Sequence, residues 1–305
     1  MTRLPQPWVA SLAIAAGLLL TSGATAAPPA AGPQPATQPA AQARRSSMQP
    51  VHERAAAMTR HALESARKGM LFSARDELTQ ALRLVAQALD VQQQRATHVA
   101  ALSAGLTALD EARDFAPRDG GGAAPIDVST LARTHRTPLF GQGAGGMSPV
   151  VAQQHYFNFA QQQLALAVGG EPAASQSLYA LGKIQMALAE QTTEQQSLHA
   201  PQAMVFHQAA LAVDPRNHLA ANELGVLLAR YGQLEAARQA LVHSVTLQPH
   251  AEGWHNLAVV HQRLGQTELA QLAENERRLL AGGAQPGPRQ PVNQSVEWLD
   301  PRTFA

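Results

Sequence analysis

Apolar and small residues recur at steps of three and four through most of the chain, in blocks broken by glycine and proline. The clearest block is Asn217–Pro249, NHLAANELGVLLARYGQLEAARQALVHSVTLQP. Its two halves each predict an amphipathic helix, with Gly232 as the turn between them and Pro249 as the stop. Gly225, Ala237 and Ser244 are small where the two helices would touch, and Leu224, Leu228 and Leu241 are large beside them. Helical periodicity also runs from about Val51 to Phe115, where Val99, Leu102, Leu106 and Leu109 form a stripe on one face of a third helix. That stripe, which covers fewer than two heptads, predicts packing of the third helix on the two helices before it, the alternative being a partner chain.

Composition narrows the fold class. Hydrophobic residues make up 45% of the 305, much of that share alanine, while aromatics are only 4%. Abundant Ala, Leu and Gln with few β-branched residues favour close-packed helices over sheets. The chain is predicted to be all-α.

The offsets in Asn217–Pro249 are Ala221-x2-Leu224-Gly225-x2-Leu228, then Ala237-x3-Leu241, then Pro249. They resemble the W-x2-L-G-x2-Y, A-x3-F, P pattern of the tetratricopeptide repeat (TPR) family. The resemblance implies a right-handed solenoid of helical hairpins. A divergent copy is Met58-x2-His61-Ala62-x2-Ser65, Gly69, Ala74-x3-Leu78 and Ala81. Another is Leu178-x2-Leu181-Gly182-x2-Gln185, then Ala203-x3-His207, Ala210 and Pro215. Twenty-one residues separate Gly182 from Ala203, against twelve between Gly225 and Ala237, so an insertion within Glu190–Gln202 is expected to lengthen that turn. The last copy is Trp254-x2-Leu257-Ala258-x2-His261, Gly265 and Ala270, with Glu274 and Arg277 in place of packing residues. Its second helix keeps an apolar face (Leu269, Leu272, Ala273, Leu279, Leu280) and a charged one, as a terminal cap requires. Phe157, Ala160, Leu164 and Ala167, opened by Ser148-Pro149 and followed by Pro172, read as the second helix of a repeat whose first helix is missing or replaced.

Between and around these blocks lie segments of another character. Residues 1–26 read as an export signal: Arg3, the apolar run Trp8–Leu20, and a small-x-small cleavage site at Ala24–Ala26. The alternative is an uncleaved anchor, for which roughly 20 apolar residues are expected. Residues 27–50, rich in Ala, Pro and Gln, predict a disordered spacer. Residues 117–147 predict a glycine-rich linker, and their Gly141-x-Gly143-x-x-Gly146 lacks the preceding strand of a dinucleotide site. Residues 282–305 predict a Pro/Gly linker and a tail carrying Trp298, Leu299 and Phe304, which either docks on the body or recognises a partner. The expected domain order is therefore 1–26, 27–50, a helical region 51–116, 117–147, a repeat domain 148–281, and 282–305.

Chemistry is sparse. Cysteine is absent, excluding disulfides, thiolate metal sites and a cysteine nucleophile. The net charge of +1 has no block of one sign, arguing against a nucleic-acid partner. His52-Glu53 begins like H-E-x-x-H, but Ala56 stands at the second histidine. Asp110 and Glu111 are adjacent and so point apart on a helix. His243, His250, His255 and His261 fall close together, yet no pair has i, i+4 spacing. No catalytic residue, cofactor or metal is expected.

What remains is recognition. The resemblance implies that the first helix of each hairpin lines a concave face that holds a peptide or partner helix. On this sequence that face would carry Tyr179 and Lys183, then Asn222, Val226 and Arg230, then His255, Asn256, Val259 and Arg263. Asparagines can grip a peptide backbone, and the three cations would favour an acidic segment or a chain-terminal carboxylate. The expected function is a non-enzymatic protein-interaction scaffold, exported to the cell envelope or beyond, with no stable membrane insertion after signal cleavage. The alternative is an accessory subunit of an envelope assembly or secretion complex whose partner carries the activity.

Overall fold

The computed structural model describes residues 38–116, 126–140, 145–191 and 196–282. The predicted signal at residues 1–26 and the tail with Trp298, Leu299 and Phe304 lie outside them. Among the described residues there are eleven α-helices, one 3-10 turn and no strand, so the protein is all-α. The helices are α1 (Gln38–Arg67), α2 (Leu71–Gln93), α3 (His98–Glu111), α4 (Val128–Thr134), α5 (Pro149–Val168) and α6 (Pro172–Gln191). They continue with α7 (Gln196–Val213), α8 (His218–Arg230), α9 (Leu234–Leu247), α10 (Ala251–Arg263) and α11 (Thr267–Ala281).

Helix ends follow local chemistry. Asn217 caps α8 by accepting from the Ala220 N–H, and Ser148 caps α5 with Pro149 in the first turn. Three turns are built alike. Gly69, Gly232 and Gly265 take positive φ (82°, 77° and 75°). The next residue in each case donates its N–H back to a carbonyl five residues earlier: Met70 to Ser65, Gln233 to Leu228, Gln266 to His261. Glycine tolerates this left-handed backbone without the Cβ clash, and the bond satisfies a carbonyl the helix end would leave open.

The helices pack in pairs: α1 with α2, α3 with α5, α6 with α7, α8 with α9, and α10 with α11. Small residues set the approach. A methyl group on Gly225 would come within 2.5 Å of Leu241 Cγ and 3.2 Å of the Ala237 carbonyl. The same arrangement recurs at Gly105, where a methyl would meet Leu164 Cγ at 3.0 Å and the Ala160 carbonyl at 3.3 Å. Helix α3 is therefore the helix that pairs with α5. The stripe expected to dock α3 on α1 and α2 is corrected accordingly: α3 packs chiefly on α5 and only secondarily on α2. Its buried face is Ala101, Leu102, Gly105, Ala108 and Leu109, because only the small residues of α3 admit α5 this closely.

Hydrogen bonds tie helices together both between pairs and within them. Asn217 donates its side-chain amide to Ser175 Oγ at 2.9 Å, and Ser175 donates to the Ala210 carbonyl at 2.8 Å. All three lie at the junction of α6, α7 and α8. Ser244 Oγ, from α9, donates to the His218 carbonyl at 2.7 Å.

Four further expectations are corrected. The spacer predicted for residues 27–50 is helical from Gln38 onward, and α1 runs through Pro50 with Met48 buried against the core. The Ala/Gln content that reads as spacer is also good helix-forming material once one residue is anchored. The linker predicted for residues 117–147 contains α4, capped by Asp127, whose carboxylate accepts from Ser129 and Thr130. Glu111 accepts the N–H groups of Arg136 and Thr137, so this segment is tied to the end of α3. Gly141 and Gly143 lie outside the described residues. The insertion within Glu190–Gln202 mainly lengthens α6 and α7, to 20 and 18 residues against 13 and 14 for α8 and α9. In α11, Leu272 and Leu279 are exposed rather than packed, and only Ala273 is buried. Positions 269, 273, 276 and 280 step by four, three and four down the inner face, and 272 and 279 lie to one side of it.

Candidate functional site

The first helices α6, α8 and α10 stand in register, and side chains bridge from each to the next. Lys183 Nζ on α6 lies 2.8 Å from Glu223 Oε1 on α8. Both side chains keep a solvent-facing edge, at 24% and 17% exposure. Asn256 on α10 donates through Nδ2 to Asn222 Oδ1 on α8 at 3.0 Å, and both asparagines are buried. Glu252 stands at the start of α10, where the nearby Asn222 amide favours its carboxylate. Burial raises the Glu252 carboxyl above the usual range, and the neighbouring Glu223 adds to the effect.

Tyr179 caps this ridge from α6. It is half-buried, and burial pushes its hydroxyl far above the ordinary phenol value, with Glu223 and Glu252 contributing. Beneath it lies His207 from α7, 5.9 Å ring to ring. The His207 side chain is fully buried, packs on Gly182, and has no hydrogen-bond partner at either ring nitrogen. Desolvation brings its pKa down to about 4, so the ring is neutral near neutral pH.

Not every residue expected on the concave face belongs to this cluster. Tyr179, Lys183, Asn222 and Asn256 converge, with Val226 and Val259 half-buried one turn further along α8 and α10. Asn222 and Asn256 are bonded to each other and buried rather than presented to solvent. Arg263 donates to the Ala229 carbonyl at the end of α8, at 2.8 Å, and Arg230 is exposed at the same end. His255 sits apart, with Val259, in an open cleft of about 490 Å³ between α10 and α11 that also takes in Gln262, Glu274 and Arg278. Burial, with Arg277 adding, lowers the His255 pKa to about 3, so its 3.7 Å approach to Glu274 is that of a neutral ring.

Sequence reasoning missed Glu223, Glu252 and His207. His207 had a signal: it stands where Leu241 stands in the next unit, a large packing position against a glycine. The two glutamates had none, since acids on helix surfaces are ordinarily solvated.

A second polar network holds the segment between α3 and α5. His135 lies 2.7 Å from the Tyr156 hydroxyl through Nδ1 and 3.2 Å from Asp114 Oδ2 through Nε2. Phe115 and Phe140 surround Tyr156, which is fully buried with its pKa pushed up to about 12 by burial. An acid, an imidazole and a hydroxyl in line can serve a nucleophile, but this hydroxyl is sealed from solvent. The network fastens α4 to the body.

The remaining histidines have structural partners. His243 Nε2 donates to the Pro215 carbonyl at 2.7 Å, and His250 Nδ1 to that of Gln248 at 2.8 Å. His261 Nδ1 lies 2.6 Å from Gln266 Oε1. His52 Nε2 lies 2.6 Å from Glu171 Oε2. Among the described residues no group of three or more His, Cys, Asp or Glu is placed to hold a metal, and no helix is long and apolar enough to cross a membrane.

No protein-family model matches the chain, and no curated protein matches it either.

Proposed function

We propose that this protein is an exported, TPR-like interaction scaffold that binds a peptide or partner segment along α6, α8 and α10, without catalytic activity of its own. The observation that supports this reading is the inter-helix ladder of Lys183–Glu223 and Asn222–Asn256, flanked by half-buried Val226 and Val259. Such a ladder fixes the spacing of successive first helices, so the surface is formed before any partner arrives. Preorganisation of that kind reduces the ordering cost of binding. Half-exposed valines beside polar groups provide apolar contact in the middle and hydrogen-bonding atoms around it.

The test is affinity capture from envelope extract with wild type and with Val226→Lys plus Val259→Lys. Both substitutions place a flexible cation where a partner would make apolar contact. Specific partners held by wild type should drop out of the variant's eluate while its melting temperature holds. An identical partner list from both proteins would mean that this face is not the binding surface.

A further inference from the structure

We propose that the C-terminal segment 296–305 docks in the cleft between α10 and α11. That segment, VEWLDPRTFA, lies outside the described residues and carries Trp298, Leu299 and Phe304. Side chains of this size gain by leaving water.

The cleft suits such an occupant in size, lining and charge. Its volume is about 490 Å³, and every residue lining it comes from α10 or α11. Clefts of about 300–1,000 Å³ hold small ligands, so there is room for more than one large side chain. Ala258, Val259 and Ala270 are half-buried in its wall and offer an indole or a leucyl chain an apolar surface. Beside them Glu274 holds Arg277 at 2.7 Å and Arg278 at 3.2 Å, two guanidiniums to one carboxylate. The segment has the opposite balance, with Glu297 and Asp300 flanking Trp298-Leu299 and a single guanidinium at Arg302. The Arg278 side chain is 67% exposed and uses Nε on Glu274. Its other N–H groups can take a flanking carboxylate while the two apolar residues turn to the wall.

Connectivity makes this occupant the favoured one. Arg278 lines the cleft one turn before the end of α11, where the segment's own linker departs. Trp298 stands sixteen residues beyond Gly282. A flexible chain of that length spans roughly 20–24 Å. Helix α11, at 15 residues, is about 22 Å long. A tether whose reach matches its span gives the highest effective concentration, of order millimolar. At that concentration a site with a dissociation constant of about 0.1 mM is about nine-tenths filled. A polar-lined cleft too weak to hold a free peptide therefore holds a tethered one, an advantage that a second copy lacks. Val259 lines this cleft and also belongs to the face proposed for the partner. On the scaffold reading, the docked segment bounds the partner's site at its α10 end.

The chain has no cysteine, so two introduced ones can carry spin labels without background. The full-length protein is labelled at Glu268→Cys, exposed on α11 beside the cleft, and at Ser295→Cys. Double electron–electron resonance should show one narrow distance peak. Trp298→Ser with Leu299→Ser leaves the helical body unchanged and should broaden that peak into the spread of a free tether. Ala270→Arg fills the cleft with a long side chain and should do the same, with circular dichroism unchanged. A broad distribution in the parent protein overturns the proposal, as does a narrow peak that survives either variant. A narrow peak in a mixture of singly labelled chains also overturns it, by assigning the cleft to a second copy. No partner enters these measurements, so the scaffold reading stands or falls separately.

Discussion

His207 shows how a packing position becomes a pH liability. The ring fills the place that Leu241 fills in the next unit, pressed on Gly182 as Leu241 is pressed on Gly225. With its folded pKa at about 4, below the ordinary value near 6.5, the folded protein refuses a proton that the unfolded chain accepts. Above about pH 6.5 both states are neutral at this site and it contributes no pH dependence. As pH falls from about 6.5 to 4 the unfolded chain binds the proton first, and stability drops by an amount of order 3 kcal/mol. His207→Leu should remove that part of the slope, so urea midpoints at pH 7 and pH 4.5 should lie closer together than in wild type. Equal spacing in both proteins would mean that His207 is not the group titrating. His199, His218, His255 and His261 are also depressed by burial, so a shallower acid-side slope should persist in the variant. The role of position 207 was legible in the sequence as a large residue at A-x3-large spacing. Its missing hydrogen bonds were not, because they depend on Tyr179 and Gly182 closing over it from α6.

At the scale of elements, the small-against-large contact between paired helices carries most of the fold's definition. Gly225→Ala would drive a methyl into Leu241, at a cost of about 1–3 kcal/mol from overpacking. Better helix propensity offsets up to about 1 kcal/mol of that. Leu241→Ala alone should cost about 2–5 kcal/mol through the cavity it leaves. If the two residues meet as described, the double substitution should cost less than the sum of the single ones, by urea denaturation. The same cycle on Gly105 and Leu164 tests whether α3 and α5 are a true pair, and strict additivity there would refute the pairing. That pair could not be read from the chain because the residues between Glu111 and Pro149 hide it. Once the gap is set aside, Gly105, Ala160, Leu164 and Pro172 fall at the offsets of Gly225, Ala237, Leu241 and Pro249. Glycine runs and prolines around this segment read as linker, while the features that fold it are bonds between distant residues. Glu111 to Arg136 and Thr137, and His135 to Asp114 and Tyr156, leave no periodic trace. Asp127 is the local exception, an N-cap followed by Ser and Thr. Asp127→Ala should speed amide exchange across Val128–Thr134 with little change in global melting temperature.

The molecule as a whole raises the question of what the last described pair of helices, α10 and α11, presents on its outer face. In the α8/α9 pair, which α10 packs against, Asn222, Ala229, Leu241 and Val245 are buried. A shift of thirty-three residues carries those positions to His255, Gln262, Glu274 and Arg278, which line the open cleft of the final pair. The surface that would accept a further helix is thus present in shape but has turned polar. Glu274 also gathers Arg277 and Arg278 at 2.7 and 3.2 Å, which holds its carboxyl below the usual range and keeps the face hydrated. An apolar version of this face would be open to a second copy, since stacked helical pairs bury apolar surface at each junction. Glu274→Leu with Arg278→Val restores the residue types of Leu241 and Val245. The variant should self-associate more strongly than wild type, with its sedimentation coefficient rising over a concentration range where wild type stays constant. Matching sedimentation for the two proteins, with helicity intact by circular dichroism, would show that the polarity of this face is not what limits self-association.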